Sequence, residues 1–499
     1  MSVSIVKSNL SKKKMSENSR EFKRSLTLLD ATMLIAGSMI GSGIFIVSAE
    51  MSRQVGSSGW LIFLWLLTGV ITIFGALSYG ELAGMMPEAG GQFVYIERAF
   101  GKLTAFLYGW SVFTVIQSGV IAAVAVAFAK YSAVFFPSLS PENIVFQLGF
   151  LKVSASQLTA IGVLVVLTYV NSRGIQNGKM IQLVFTGTKL FALFGLIVLG
   201  LVVGSKTGYF SQNMTGLWDA SQMTKSTDGS WHLESLTGFA LVLALGTALI
   251  GSLFSSDSWN NVTFIAGEIK DPKRNIPRSL VLGTCIVTFL YIMANFAYLA
   301  LLPLKGIPGG MDAASQGIMF AKYDRVGAAA ASMIFGDVSL KIMALLIMVS
   351  TFGCVNGLIL SGARVYYAMA KEGMFFRKAG VLNRAQVPGF ALWIQCLWTG
   401  MLCLSGSYNE LLEYCTFTSL LFYAVTIAGV FMLRKKDPGA DRPYRVPLYP
   451  IVPLVYIVLA ACISGILLYT KTKSVGYGLI IVLLGIPIYY RYIFGKKDA

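Results

Sequence analysis

Long apolar runs alternate with short polar turns along almost the whole chain. About 20 consecutive apolar residues cross a bilayer as a helix. The pattern predicts twelve such spans, at 27–50, 58–80, 103–136, 156–172, 180–204, 236–266, 279–303, 339–370, 389–406, 410–433, 449–470 and 475–494. The third is longer than the hydrocarbon layer is thick, so a tilt is expected. Two spans are interrupted. In the first, Met39-Ile40-Gly41-Ser42-Gly43-Ile44-Phe45 puts Gly-Ser-Gly at mid-membrane, a poor composition for a continuous helix. In the sixth, the stretch from Gly246 to Trp259 interrupts the apolar pattern again. Close packing on small residues accounts for one such spot as well as a break does. Two at corresponding positions of two halves favour breaks, because paired discontinuous helices build transporter sites at the bilayer midplane. Backbone that leaves the helix there must bond to protein or line a cavity. Its half-helix ends offer free N–H and C=O groups to a small zwitterion.

Composition agrees with a polytopic membrane protein and excludes a soluble globule. Of 499 residues, 55% are hydrophobic and only 13% charged, with mean hydropathy +0.69. A net charge of +17 raises the question of nucleic acid or an anionic substrate. Its distribution answers differently, because 28 of the 40 Lys and Arg fall on the amino-terminal side and about eleven on the other. This asymmetry predicts both termini in the cytoplasm, an even number of spans and a multi-pass protein of the cell (inner or plasma) membrane. The basic stretch before Leu26 lacks a short apolar core with a cleavage site and reads as a cytoplasmic tail. The six Cys lie in apolar segments without metal-ligand spacing, so buried free thiols are expected and no disulfide. His232, the only His, is expected in a solvated loop and cannot build a His-based metal site alone. No cofactor or metal is expected. With no nucleophile–base pair and no pore ring or filter, neither an enzyme nor a channel is favoured.

Charges at membrane depth carry the candidate chemistry. Lys189 lies within span 5, too deep to snorkel, and an intramembrane Lys is a functional-site hypothesis by default. It either bonds carbonyls or a carboxylate, or it takes up and releases a proton. Asp257 lies in the second interruption, where it caps the following half-helix, contacts a substrate ammonium or a cationic side chain, or titrates. Phe254 and Ser255 precede it, and Phe254 is either packing or a gate over the site. In span 8, Ser350 and Asn356 are candidate partners for Lys189 or the span-1 break, or bond neighbouring helices.

Taken in order, several stretches resemble the amino acid–polyamine–organocation superfamily, and most closely its L-amino-acid-transporter branch of bacterial type. They are Ile40 to Phe45, Pro87-Glu88-Ala89-Gly90-Gly91, Lys189, Trp259 to Pro277, Phe352 to Asn356 and Arg442-Pro443-Tyr444-Arg445-Val446-Pro447. The resemblance implies an all-α integral membrane protein with the leucine-transporter (LeuT) fold. Its 5+5 inverted repeat has discontinuous helices 1 and 6, and it has 12 transmembrane helices in all. The corresponding organisation is a tail at 1–26, repeats at 27–204 and 236–433, two further helices within 449–494, and a short tail at 495–499. The resemblance also implies sodium-independent transport of L-amino acids, often by exchange. The substrate carboxylate would meet the N–H groups of Ser42, Gly43 and Ile44 around Gly41. The ammonium would meet the carbonyls of Met39 or Ile40 and of Phe254, with Phe254 as gate. Lys189 would link the span-1 half-helix to span 8, where sodium would otherwise bind.

Two departures stand out. The family usually has a small residue where this chain has Asp257, which brings cationic substrates or proton coupling into view. Animal members pair with a glycoprotein through a Cys between spans 3 and 4, and residues 137–156 contain none. A carrier of neutral amino acids without a disulfide-linked heavy subunit is expected, with amino acids and the lipid bilayer as its partners and no nucleic acid. A proton-coupled symporter is the alternative reading. An amino acid sensor is a remote third, given the short tails.

Overall fold

The computed structural model describes residues 22–148, 151–226, 229–405 and 408–494. The two tail segments 1–21 and 495–499 lie outside the described residues. The structure is almost wholly helical. The first span is two helices, α1 (Leu28–Met39) and α2 (Val47–Val55). Then follow α3 (Ser58–Met85), a short α4 (Gln92–Phe100) and α5 (Lys102–Ser132), which carries a π turn at Val112–Ile116. A hairpin of β1 (Ile144–Leu148) and β2 (Leu151–Ser154) leads to α6 (Ala155–Ser172), α7 (Ile175–Gly204) and one turn, α8 (Tyr209–Asn213). A second hairpin, β3 (Ser221–Lys225) and β4 (Trp231–Ser235), precedes α9 (Gly238–Ser255) and α10 (Asn261–Phe264). The remaining helices are α11 (Pro272–Leu301), α12 (Ala313–Gln316), α13 (Val326–Phe335), α14 (Ser339–Lys371), α15 (Gly389–Ser405), α16 (Tyr408–Lys436), α17 (Ile451–Thr470) and α18 (Thr472–Phe494).

Among the described residues, nine helical stretches are long and apolar enough to cross a membrane, and Leu28–Met39, Gly389–Leu404 and Val475–Arg491 are shorter apolar helices. All twelve expected spans correspond to helical segments, with three differences of substance. The second break does not begin at Gly246, because α9 runs unbroken to Ser255 and the chain unwinds only at Ser256–Asn260. Gly246 and Gly251 instead let neighbouring side chains close in, Ile466 at the first and Val47 at the second. The seventh span starts at Pro272, seven residues before position 279, because its first two turns are charged and solvated and an apolar pattern cannot see them. The hairpins and α13 fall in segments where no element was expected. The cysteines also differ in part: Cys285 and Cys462 are exposed, while Cys354, Cys396, Cys403 and Cys415 are buried free thiols. His232 is exposed on β4, its Nε2 2.8 Å from Ser230 Oγ.

Local chemistry sets the helix starts that matter for the site. Thr27 and Asp30 form a capping box, with the Thr27 N–H donating to Asp30 Oδ2 at 2.8 Å, and this fixes where α1 begins. Packing then holds α1 in place. It lies against α11, α7 and α14, and α11 in turn runs along α3. The α1–α11 contact is tight at Gly283, where an added Cβ would lie 2.6 Å from the Ile35 side chain. Gly465 on α17 has open space instead. Gly283→Val should therefore lower the melting temperature of the purified protein, by an overpacking cost of about 1–3 kcal/mol. Gly465→Val should leave it nearly unchanged. A thermal melt of both variants checks this.

Candidate functional site

α1 ends at Met39, and Ile40 turns to an extended conformation (φ −77°, ψ 92°). The chain then makes a 3-10 turn at Gly43–Phe45 before α2 starts at Val47. The carbonyls stranded at the end of α1 need donors, because nothing in a hydrocarbon layer supplies them. Lys189 of α7 supplies two of them. Its Nζ donates to Gly37 O and to Ile40 O, both at 2.6 Å, and to Ser350 O of α14 at 3.3 Å. Three N–H donors meet three carbonyls, so the buried ammonium is fully bonded. Ser350 Oγ adds bonds to Ile40 O (3.1 Å) and Gly41 O (3.0 Å), and Cys354 Sγ lies 3.0 Å from Ser38 O.

Of the alternatives held for Asn356, the structure shows the bonding of neighbouring helices. It reaches neither Lys189 nor the break. Its Nδ2 donates to Gly178 O (3.0 Å) and Gln182 Oε1 (3.1 Å), and its Oδ1 accepts from Asn171 Nδ2 (2.9 Å). It lies nearly two turns beyond Ser350 on α14, so it ties α6 to α7 instead.

The second break passes through Ser258, whose φ of 69° is in the left-handed region that only glycine enters freely. Such a residue costs on the order of 1–3 kcal/mol and persists where its surroundings fix it. Asp257 is not a helix cap here. Asn260 takes the cap position of α10, without a side-chain cap bond. Asp257 Oδ1 instead accepts from the Tyr423 hydroxyl of α16 at 2.6 Å, and the same hydroxyl lies 3.1 Å from Asn260 Oδ1. Asn260 Nδ2 donates to Gln92 Oε1 at 2.8 Å, and Gln92 Nε2 bonds Thr426 Oγ1 at 2.9 Å. The glycine loop before α4 joins this network through the Gly90 N–H, which donates to Phe264 O at 2.9 Å. Among the described residues, no cationic side chain pairs with Asp257.

The two breaks touch. An added Cβ at Gly43 would lie 2.1 Å from Ser255 Oγ and 3.1 Å from Ser255 Cα, so only glycine fits. Tyr291 of α11 joins them from the other side, its hydroxyl 3.1 Å from Met39 O and 2.9 Å from Ser255 O. Met39 O also takes the Gly41 N–H at 3.0 Å. One hydroxyl proton thus serves the last carbonyls of α1 and α9 together. Ile40 O is occupied by Lys189 and Ser350. Phe254 O accepts from the N–H groups of Ser256 and Asp257, and the Phe254 side chain is buried on the last turn of α9. Among the described residues, the N–H groups of Gly43 and Ile44 face no acceptor. Beside the breaks, two cavities of 20 and 10 Å³ share Asp257, Ser419 and Tyr423 in their walls. Each has room for about one water.

On the amino-terminal side the site is sealed by backbone and buried charge. The N–H groups of Ser25 and Leu26 donate to Glu268 O at 2.9 and 3.0 Å, and the Lys270 N–H donates to Leu26 O at 2.8 Å. Arg364 Nε bonds Glu268 Oε1 at 2.7 Å with both side chains buried, and Asp30 pairs with Lys179 at 2.8 Å. Glu81, also buried, is held by Arg434 at 2.6 Å and by the Val446 N–H at 2.8 Å. On the opposite side, Arg53 joins α2 to Asp324 at 2.8 Å. A cavity of 220 Å³ remains there between α2 and α9, with Glu50, Glu413 and Lys471 in its walls. Sequence reasoning named neither Tyr291 nor Tyr423, and it gave no role to Glu81, Glu268 or Arg364. Tyrosines in apolar spans carry no signal of their own, whereas Arg364, inside the expected span 339–370, is a membrane-depth cation whose need for a buried partner was a usable signal.

Known proteins resemble the chain over nearly its full length. The family described as "Amino acid permease" matches residues 26–489. The Asc-type amino acid transporter 1 of Mus musculus is 29% identical over 483 residues, which cover 95% of this chain and 82% of the relative. The large neutral amino acids transporter small subunit 2 of Oryctolagus cuniculus is 30% identical over 474 residues, 94% of this chain and 80% of the relative. The serine/threonine exchanger SteT of Bacillus subtilis (strain 168) is 31% identical over 472 residues, 94% of this chain and 96% of the relative. With its apolar helices and two broken spans, the chain is a multi-pass membrane transporter that belongs to the amino acid permease family.

Proposed function

We propose that the protein exchanges neutral L-amino acids across the cell membrane by alternating access, without sodium. The observation that carries this reading is Lys189. Carbonyl oxygens at a helix end, with a serine hydroxyl beside them, make an oxygen shell of the kind a small cation fills. Here the chain's own ammonium fills it, at 2.6 Å from Gly37 O and Ile40 O. A fixed cation leaves no vacancy for a coupling ion. Exchangers of related sequence support the direction, since SteT is described as a serine/threonine exchanger.

The substrate chemistry is desolvation of a zwitterion offset by helix-end dipoles; no bond is made or broken. The N–H groups of Gly43 and Ile44, with Ser42 beside them, receive the carboxylate. The carbonyls of Met39 and Ser255 receive the ammonium, displacing the Tyr291 hydroxyl that they share. Met39 is taken over Ile40, whose carbonyl accepts from the Lys189 ammonium and the Ser350 hydroxyl, and Ser255 over Phe254, whose carbonyl accepts from two backbone N–H groups. Phe254 closes over the bound amino acid. The two halves, 27–204 and 236–433, act as the inverted repeats whose relative motion opens the site alternately. Both termini face the cytoplasm, and the carrier works without a disulfide-linked partner.

A second reading follows from Asp257, a largely enclosed carboxylate bonded to Tyr423 but to no cation among the described residues. It suits a substrate with a cationic side chain or coupling to protons. One experiment separates the readings. Proteoliposomes in sodium-free buffer are preloaded with neutral, basic or acidic amino acids, and entry of labelled L-serine is followed. Stimulation by internal neutral amino acids is expected. Stimulation by basic amino acids alone, or uptake driven only by an inward proton gradient, would replace the first reading with the second.

Two variants probe the site itself. Lys189→Ala removes the donor from Gly37 O, and a buried carbonyl left unpaired costs about 1–3 kcal/mol. Exchange should fall at least about tenfold as α1 loses its anchor, a factor equal to 1.4 kcal/mol. Tyr291→Phe should keep the fold but change the concentration for half-maximal exchange more than the maximal rate, because the hydroxyl competes with the substrate ammonium. Initial-rate kinetics of both variants test these outcomes.

A further inference from the structure

Where α11 emerges on the amino-terminal side, a cavity of 940 Å³ opens between this helix, the start of α1 and the loop after α16. Asp271, Lys273, Arg274 and Arg278 line its polar wall, and Leu282 and Tyr444 its apolar one. Three cations face one carboxylate. Lys273 is already paired with Asp441 at 2.9 Å. Arg274 and Arg278 have no ion pair among the described residues, and both are exposed. They stand one turn apart on one face of α11, close enough to hold a single anion together.

What that face does next identifies the anion. Beyond Arg278 it continues through Leu282, Ile286 and Phe289, which are 45%, 41% and 60% exposed. These are large apolar side chains on a helix of a membrane protein, and lipid is what covers them. From Arg278 to Phe289 the helix rises about 16 Å, at 1.5 Å per residue. That is about half the roughly 30 Å hydrocarbon layer, or the depth of one leaflet. A soluble phosphate or nucleotide would use the guanidinium pair but leave the apolar stripe without a role. Basic pockets between transmembrane helices on the positive side of a membrane suit anionic head groups.

We infer that this cavity binds an anionic phospholipid, its phosphate between Arg274 and Arg278 and an acyl chain along Leu282, Ile286 and Phe289. The site is separate from the amino acid site, and its occupant braces three parts of the fold. Pro277 and Tyr444 both line it, and both also approach Gly80 of α3, where an added Cβ would lie 2.9 Å from Tyr444 and 3.5 Å from Pro277.

Native mass spectrometry of the purified full-length protein tests the site without any transport assay. The detergent-solubilised protein is titrated with phosphatidylglycerol or with phosphatidylcholine of the same acyl chains. Preferential retention of phosphatidylglycerol is expected. Arg274→Gln/Arg278→Gln should weaken it about thirtyfold, the weight of two cations at a charged membrane surface, while phosphatidylcholine is unaffected. Lys273→Gln should change it by no more than about threefold, because that cation is in an exposed pair. Equal retention of the two lipids by the wild type would overturn the proposal, whether or not the double variant folds. So would undiminished phosphatidylglycerol binding by the double variant. Complete displacement by millimolar inorganic phosphate would mark a free-anion site and overturn it too.

Discussion

Backbone that unwinds inside a membrane must find every hydrogen bond within the protein, and the rest of this structure is arranged around that requirement. The two breaks strand carbonyls at the ends of α1 and α9. Side chains from α7, α11 and α14 reach in to meet them, namely Lys189, Tyr291 and Ser350. Lys189 dominates because a single ammonium satisfies three carbonyls on two helices. A buried charge of this kind is tolerated because every donor is used, and removing either side of the arrangement is costly. Among the described residues, the N–H groups of Gly43 and Ile44 face no acceptor, and they sit beside the carbonyl pair that shares one tyrosine proton. That juxtaposition of N–H donors with carbonyls sharing one displaceable hydroxyl is what a zwitterion complements.

The same bonds separate what is held from what is free to move. On the amino-terminal side, the strand-like contact of Leu26 with Ile269 and the Arg364–Glu268 pair lock the start of α1 to the segment after α10 and to α14. On the other side, the link through Arg53 and Asp324 is part-buried, with the Arg53 side chain 11% exposed and Asp324 42% exposed, and a 220 Å³ cavity lies behind it. Breaking a pair buried on both sides costs about 3–5 kcal/mol, and Arg364–Glu268 is such a pair, whereas Asp324 stays open to solvent. In the proposed cycle, opening toward the amino-terminal side is therefore the costlier step. Part of that cost is offset when substrate binding relieves the breaks.

The apolar pattern alone anticipated where the long helices fall, because hydrocarbon demands long apolar stretches; nine helical stretches among the described residues are long and apolar enough to cross a membrane. The Gly-Ser-Gly of the first break was legible for the same reason, as was Lys189, since a lone cation at mid-span has few explanations. The second break was placed too early. Glycines serve both close packing and unwinding, and only the tertiary contacts at Gly246 and Gly251 assign them to packing. Asp257 was legible as a membrane-depth charge in the second break but not as the partner of Tyr423, because a contact between positions 166 apart leaves no trace in one sequence. Tyr291 was missed since a tyrosine in an apolar span looks like any other aromatic. The buried Arg364–Glu268 pair was missed because Glu268 reads as part of the charged run after span 6, and its contact with a position 96 residues on leaves no trace in one sequence.

The central claim is that Lys189 fills the place of a coupling cation, so that the helix breaks hold an amino acid unaided. Equilibrium binding of labelled L-serine to the purified protein, in sodium chloride and in choline chloride of equal ionic strength, tests it most directly. The account predicts the same affinity in both. An affinity that rises with sodium along a saturable curve would show that a cation site is open beside Lys189 and would contradict it.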